Sequence, residues 1–377
     1  MSRREQAASK GPYLASVPPL ISGMTFDIPS EVAAEAEDAL LEISRFDAEL
    51  AASLPRADGE LAPLAVVLLR TESASSSQIE GVTAGAKALA IATLNESSGQ
   101  NAQMVAANVE AMQKAIDLAD DLSTDSILAA HRALMHDQPY AQPGQFRNEQ
   151  VWIGGGATPH TATFVPPRHE RVPALMDDLV TFCRRTDIPV LSQVSIAHAQ
   201  FETIHPFNDG NGRTGRTLVH AMLRRSGVTR RLTVPVSAGL LIDTEAYFAA
   251  LGSYRDGDPT PIITQFTRAS FAAVGNGRHL VDDLTGIYAQ WRDVLPSRKG
   301  SAARRLLPHL LSQPAVTIKH IQQYLDVSQP AAQRAVDQLV EVAILKQIST
   351  GKRDRAWIAR EVIDALDKFA TRAGRRG

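Results

Sequence analysis

The chain has 377 residues, 44% apolar and 21% charged, with a formal net charge of −2 at pH 7. That length allows more than one domain, and an aromatic content of 5% with few β-branched runs favours a mainly helical protein. The single cysteine, Cys183, excludes an intramolecular disulfide and a Cys-cluster metal site. The polar start and the lack of a long apolar run point to a cytoplasmic protein with no membrane partner.

Residues 1–28 contain Pro12, Pro18 and Pro19 among small and polar side chains and read as an extended arm without a core of its own. From Glu31 to Leu54, Val32, Ala36, Ala39, Leu40, Ile43 and Leu50 are spaced for one buried helical stripe, and a second helix follows from Leu61 to Ile79. Residues 29–100 are therefore expected to form a helical N-terminal domain. Residues 101–295 are expected to form the core, with helical patterns at 102–122, 126–136, 169–186, 190–204, 212–225 and 244–254 and a long helix after Pro259. One interruption stands out between Phe146 and Pro167. Val151, Trp152 and Ile153, a run of glycines at 154–156, then Phe164 and Val165 predict two short strands in a β-hairpin flap. Residues 296–300 read as a linker to a separate small domain.

Twelve residues carry most of the chemistry: His205, Pro206, Phe207, Asn208, Asp209, Gly210, Asn211, Gly212, Arg213, Thr214, Gly215 and Arg216, lying between two helical patterns. Glycines let the backbone approach a ligand, and a helix starting near Gly212 points free amides and its positive dipole end at the loop, which makes an anion cradle. Arg213 and Arg216, three apart, share a helix face and offer guanidinium forks to phosphate oxygens. Asp209 is a hard oxygen ligand suited to Mg²⁺, which binds through few carboxylates plus substrate phosphates. His205 can take a proton from an incoming hydroxyl. The i, i+4, i+7 spacing of His198, Glu202 and His205 imitates a metal site, but the pattern is not HExxH, so His205 is read as a base and His198 as a packing or hydrogen-bonding residue. Asn208, Thr214 and Gly215 also admit a reading as simple connectors.

These residues match HPFxDGNGRxxR, and the chain thereby resembles the Fic (Fic/DOC) family. The resemblance implies a protein adenylyltransferase that uses ATP and Mg²⁺ to transfer AMP to a Ser, Thr or Tyr hydroxyl and releases pyrophosphate. It implies His205 as the base, Asp209 as the metal ligand and Gly210, Asn211 and Gly212 as the cradle. Arg213 and Arg216 would be the phosphate clamps, with Thr214 and Gly215 in the same nucleotide-binding turn and Phe207 as the loop's buried anchor. Family members that phosphorylate carry a lysine at the position of Gly212, so the glycine favours nucleotidyl transfer. Ser76 to Gly81 matches the family's inhibitory motif [ST]xxxE[GN], with Ser76 and Glu80 as its fixed residues. It implies that a Glu80 to Arg216 ion pair takes the place a γ-phosphate needs; a plain reading makes Glu80 a helix-end residue before the capping Gly81. Tyr247 stands where the family tends to place an aromatic near the nucleotide, although Phe248 competes for that alignment and core packing suits either.

The flap at 151–165 follows the family's pattern and would dock an extended segment of the target protein by main-chain pairing. Self-modification and a homodimer are compatible with the same reading. Removal of AMP through the same site is an alternative activity. From Pro296 to Gly377 there are 15 Lys and Arg against 7 Asp and Glu, so only this tail invites an acidic partner. Helices at 302–311, 317–325 and 329–342 and strands at 344–348 and 355–358 resemble a winged helix-turn-helix domain over 301–361, followed by a C-terminal helix and tail at 362–377. Lys352, Arg353 and Arg355 at the hairpin and Ser328, Gln329, Gln333 and Arg334 on the third helix could meet DNA, whereas Asp337 and Glu341 on that helix favour a protein-interaction or dimerisation role. A DNA-binding regulator that senses ATP is the alternative from another class. The expected fold is mainly α: a Fic-type helical bundle with a β-hairpin flap plus this C-terminal domain.

Overall fold

A computed structural model describes residues 11–53, 61–94, 99–117, 121–156, 158–230, 232–298, 300–348 and 355–374. In chain order the helices are α1 (Ser30–Ser53), α2 (Leu61–Ile79), α3 (Ala86–Ala92), α4 (Gln100–Asp117), α5 (Thr124–Leu134), α6 (Val172–Cys183), α7 (Val190–Ile204) and α8 (Asn211–Arg225). They continue as α9 (Val236–Ile242), α10 (Thr244–Arg255), α11 (Thr260–Val294), α12 (Ala302–Ser312), α13 (Ile318–Leu325), α14 (Gln329–Glu341) and α15 (Arg360–Arg372). The strands are β1 (Ala315–Thr317), β2 (Lys346–Gln347) and β3 (Ala356–Ile358). The protein is mainly helical, as its composition predicts. No helix among the described residues is long and apolar enough to cross a membrane.

The chain divides into two compact units that interleave in sequence: Met1–Leu41, Glu110–Val228 and Asp243–Arg268 in the first, and Glu42–Val109, Thr229–Ile242 and Ala269–Gly377 in the second. In the first unit α7 is central, buried from Leu191 to Ile204, and it packs against α6, α8 and α10. It is buried although nearly half of its side chains are polar, and Gln193, Ser195 and Thr203 meet that burial by donating to the carbonyls of Phe182, Leu191 and Ala199. Its neighbour α8 is buried from Asn211 to Leu223 although it carries Asn211, Arg213, Arg216 and His220. Burying so many polar groups is costly unless each is satisfied, and it marks α8 as a helix kept for its chemistry. Helix α5 starts at a capping box in which the Ser123 hydroxyl accepts the Ser126 N–H at 3.1 Å and the Ser126 hydroxyl accepts the Ser123 N–H at 2.9 Å.

The stretch predicted as a helix from His169 to Thr186 divides into a 3-10 turn at His169–Arg171 and α6, because Pro173 sets a new helix start. Among the described residues the N-terminal arm carries no helix before Ser30, and it is pinned along α6 and α7. The Asp178 carboxylate accepts the N–H groups of Ile21 (2.6 Å) and Ser22 (3.2 Å), the Gln200 amide donates to the Pro19 carbonyl, and Ile21 is buried.

In the second unit α2 packs against α9 and α12. The Glu72 carboxylate accepts the Ser237 N–H at 2.8 Å and the Ser237 hydroxyl, and the Asn108 amide donates to the Ser73 carbonyl and the Ser77 hydroxyl, each at 3.0 Å. These bonds hold α2 in one orientation with its serine-rich end buried. The C-terminal part is a small sheet of order β1-β3-β2, antiparallel throughout, with Val316 opposite Trp357 and Lys346 opposite Ile358, and α12, α13 and α14 packed on one another. The predicted helix at 317–325 is preceded by β1, since Thr317 ends the strand and caps α13 by accepting the His320 N–H. Arg355 donates to Gln333 of α14 at 3.1 Å and lies over the Trp357 ring, which ties β3 to the helix. Lys352 and Arg353, expected at the hairpin tip, lie outside the described residues.

Candidate active site

The loop between α7 and α8 is built by its own sequence. His205 ends α7 in the left-handed region, φ 49°, which turns the chain sharply out of the helix. Asn211 closes the turn from the other side: its amide donates to the Phe207 carbonyl at 2.8 Å and its side-chain oxygen accepts the Phe207 N–H at 2.9 Å. Gly210, φ 78°, is the N-cap of α8, and no side chain caps that terminus. A Cβ at Gly210 would stand 2.8 Å from the Met135 sulfur, so glycine is required by both conformation and space. The first turn of α8 thus faces the loop with backbone amides that no side chain has claimed, the arrangement an anion seeks.

Other elements lock this loop in place. Phe207 is fully buried and stacks on the His131 ring of α5, centroids 3.7 Å apart and planes within 3°. The Gly144 N–H donates to His131 Nδ1 at 3.0 Å, which assigns the ring proton to Nε2, and Nε2 donates to the Asp209 carbonyl at 3.0 Å. Burial pushes the His131 pKa down to about 4, so the ring stays neutral and keeps this tautomer. Arg147, which precedes the flap, is buried and donates to the carbonyls of His205 (2.8 Å), Glu149 (3.0 Å), Ile204 (3.4 Å) and Pro167, while its own N–H donates to the Pro206 carbonyl. Neither His131 nor Arg147 carries a sequence signal for this role. Each reaches a loop 78 or 58 residues away, and only the fold brings them there.

The ionisable side chains singled out in the sequence sit around this frame. The His205 ring is 20% exposed, its Nδ1 is buried 3.9 Å from a Glu202 carboxylate oxygen, and Nε2 is the nitrogen left for an incoming proton. Burial first, then the Arg147 and Arg255 guanidinium groups, push its pKa down to about 3, so the imidazole is neutral at neutral pH. The Asp209 side chain is 43% exposed. Its Oδ1 accepts the Gly210 N–H at 2.6 Å and its Oδ2 accepts the Tyr140 hydroxyl at 3.2 Å, with Arg213 Nη2 3.8 Å from Oδ1. Arg213 and Arg216 are both buried in the first two turns of α8. Among the described residues no cluster of three or more His, Cys, Asp or Glu side chains could hold a metal by itself. Asp209 can therefore bind a hard cation only together with ligand phosphates or water, which suits Mg²⁺.

The remaining residues singled out in the sequence have defined surroundings. Thr214 is buried and lines a small cavity with Thr217, Leu122 and Ser126. A Cβ at Gly215 would lie 2.9 Å from both a Glu202 carboxylate oxygen and the Phe201 ring, so this glycine sets how closely α7 and α8 pack. The Tyr247 hydroxyl lies 2.7 Å from His198 Nε2, both side chains are buried, and Phe248 is 52% exposed. Burial pushes the His198 pKa down to about 3. In the second unit Ser76 is buried on α2, and Glu80 follows the end of that helix. The Glu80 N–H donates to the Ser77 carbonyl, and Gly81, φ 77°, makes the left-handed turn that stops the helix.

The flap has one antiparallel bridge, Ile153 with Phe164, where two paired strands were predicted. Gly154 and Gly155 take φ of 65° and 73°, outside the strand region, and a 3-10 turn at Pro159–Thr161 uses up the residues that would have extended the pairing. Arg255 of α10 lies over the Phe164 ring, 3.8 Å from its centroid. The arm reaches the flap as well: the Ser16 N–H donates to the Val165 carbonyl at 2.9 Å, and Tyr13 meets the His160 ring edge-on.

Residues 121–223 match the Fic/DOC family, a span that runs from the start of α5 nearly to the end of α8 and includes the whole loop. The chain is 30% identical over 184 residues to protein adenylyltransferase fic-1 of Caenorhabditis elegans, covering 48% of this chain and 33% of that protein. It is 32% identical over 136 residues to protein adenylyltransferase Fic of Drosophila erecta, covering 35% and 25%. The match thus spans a third or less of the length of these curated relatives. A crystal structure of a Fic family protein from Desulfovibrio desulfuricans G20 superposes with a TM-score of 0.56 at 21% identity, covering 89% of this chain and 98% of that one, and shows the same fold.

Proposed function

We propose, from the match of residues 121–223 to the Fic/DOC family, that this chain is a protein adenylyltransferase of that family, with ATP as donor and a Ser, Thr or Tyr hydroxyl of a protein as acceptor. The observation that carries this reading is the loop itself: a neutral, partly exposed imidazole at His205 shares one short loop with the uncapped start of α8, with Arg213 buried one turn on. A triphosphate seats on the turn from Gly210 to Gly212, through the amides of Asn211 and Gly212, and on the guanidinium groups of Arg213 and Arg216, where charge and backbone dipole both favour it. The hydroxyl oxygen attacks the α-phosphorus, its proton passes to His205, and the bond to the β-phosphate breaks to release pyrophosphate. Mg²⁺, held by Asp209 and phosphate oxygens, would neutralise phosphate charge.

The protein's contribution is mainly placement. Arg147 and Asn211 fix the backbone on either side of His205 to Gly210, and His131 fixes the Asp209 carbonyl, so the base and the cradle cannot drift apart. The target segment would pair with the flap near 151–165, and to use the Val165 carbonyl it must displace the Ser16 N–H of the arm. Ser76 and Glu80 form the inhibitory element in this reading: a Glu80 carboxylate paired with Arg216 leaves that arginine unable to take the γ-phosphate.

The test is to incubate wild type, Glu80→Gly and His205→Ala with ATP and Mg²⁺, alone and with lysate proteins as targets, and to weigh the intact chains. The expected result is addition of AMP by Glu80→Gly, little by wild type and none by His205→Ala. If Glu80→Gly transfers no AMP to itself or to any target, adenylylation is wrong for this chain.

A further inference from the structure

The second unit contains a half-open pocket whose chemistry has no part in the reading above. Val67 and Ala74 of α2, Leu89 of α3, and Leu366 and Ala370 of α15 make its walls apolar. Into this lining projects Arg70 of α2. Its Nη1 donates to the carbonyl of Ser312, the last residue of α12, while its Nε is buried with no hydrogen-bond partner. Among the described residues no carboxylate pairs with it: burial alone pushes its pKa down to about 10. The one acid in the lining, Asp367, stands exposed at the rim. His309 and His320 supply no counter-charge, since an imidazole is neutral or cationic, and burial together with the charge of Arg70 keeps both rings neutral.

A guanidinium taken out of water without a counter-ion is costly, and such groups are ordinarily paired. The groups around Arg70 define what would pair with it. A planar carboxylate fits the guanidinium fork, and the apolar walls welcome a short hydrocarbon chain that phosphate lacks. Asp367 at the rim disfavours an anion carrying more than one charge.

We propose that this pocket binds a small monocarboxylate with a short apolar tail, its carboxylate seated on Arg70 and its tail against Ala74, Leu89 and Leu366. The ligand would sit between α2 and α3, the helices on either side of Glu80, and the Gln313 amide secures that wall by donating to the carbonyls of Ala90 and Ala315 at 2.7 and 2.9 Å. Occupancy would stiffen the helix pair that presents Glu80, yet the binding itself does not depend on the transferase reading.

Calorimetry and thermal melting of the full chain with butyrate and hexanoate at millimolar concentration test the site, with butanol, hexanol and inorganic phosphate as controls. The expected result is binding and a raised melting temperature with the two carboxylates, and none with the alcohols or with phosphate. Arg70→Gln should weaken binding about tenfold or more, because a charge-assisted pair is lost. Ala370→Phe, which plugs the pocket from its half-exposed rim and leaves Arg70 in place, should abolish it, and it decides the matter if Arg70→Gln fails to fold. Absence of carboxylate binding in wild type, or equal binding in a folded Arg70→Gln or Ala370→Phe, overturns the proposal; binding of phosphate in preference to hexanoate overturns the assigned ligand class.

Discussion

Replacing Arg147 with Gln removes one guanidinium that serves two purposes, and the two can be measured separately. Structurally, Arg147 gives its N–H groups to the carbonyls of Glu149, Pro167, Ile204 and His205, and glutamine can replace only one or two of these donors. A hydrogen bond from a charged donor contributes about 1.5–3 kcal/mol, and relief of burying the cation offsets part of the loss, so the net cost is about 3 kcal/mol. In a chain of 377 residues that unfolds as one, this lowers the melting temperature by about 4 °C. Electrostatically, Arg147 is the largest charged contributor to the depressed pKa of His205, so its removal raises that pKa. On the proposed reading, the acid limb of AMP transfer, followed by mass spectrometry in the Glu80→Gly background, should therefore move to higher pH. Arg147→Lys should keep most of the electrostatic effect and lose most of the structural one. A Gln variant that melts with wild type and shares its pH profile would refute both halves of the reasoning.

Gly215→Ala should destabilise by about 1–2 kcal/mol in chemical unfolding. Alanine normally gains up to about 1 kcal/mol in a helix, but here its Cβ meets Phe201 and Glu202 at 2.9 Å, and an unchanged or raised midpoint would show that α7 and α8 have room to part. His198 and His309 also predict acid sensitivity above the carboxylate range. Both have folded pKa values of about 3 against 6.5 for the free side chain, so their contribution is complete above 6.5 and is lost as pH falls toward 3. By about pH 5 each should have cost about 2 kcal/mol, visible as a lower guanidinium midpoint, and equal midpoints at neutral pH and pH 5 would sink the assignment.

The sequence was most legible where one local rule decides the structure. Helix α2 falls at Leu61–Ile79 as its apolar pattern predicts, and the loop at 205–216 folds through residues that bond to one another within it, Asn211 with Phe207 above all. It was less legible where length or distance intervenes. Helices α3 and α9 have seven residues each, too few for a helical period to show, and α3 is fixed by tertiary packing of Leu89 against Ala74 and Val105. The flap's alternation of apolar residues is real, but the glycines at 154 and 155 with positive φ limit it to one bridge. His131 reads as an ordinary helix residue, and its part in holding Asp209 depends on a stack with Phe207 that no local pattern announces. His198 shows the reverse case. Its spacing with Glu202 and His205 imitates a metal site, yet Nε2 is engaged by Tyr247.

The electrostatics of the loop bear on the order in which its parts act. Burial, Arg147 and Arg255 hold His205 neutral in the protein by itself, which leaves the ring able to receive a proton but a weak base. On the proposed reading, an anionic triphosphate settling on the start of α8 would counter the same guanidinium charges and raise the basicity of the imidazole. Base strength and nucleotide binding are then coupled through charge alone, without any movement of His205, whose backbone Arg147 keeps in place. A contact that withheld Arg216 from the nucleotide would act on both at once, weakening the hold on the phosphates and leaving the base depressed. The placement of arginines around one histidine would give the proposed inhibitory element leverage over the chemistry as well as over binding.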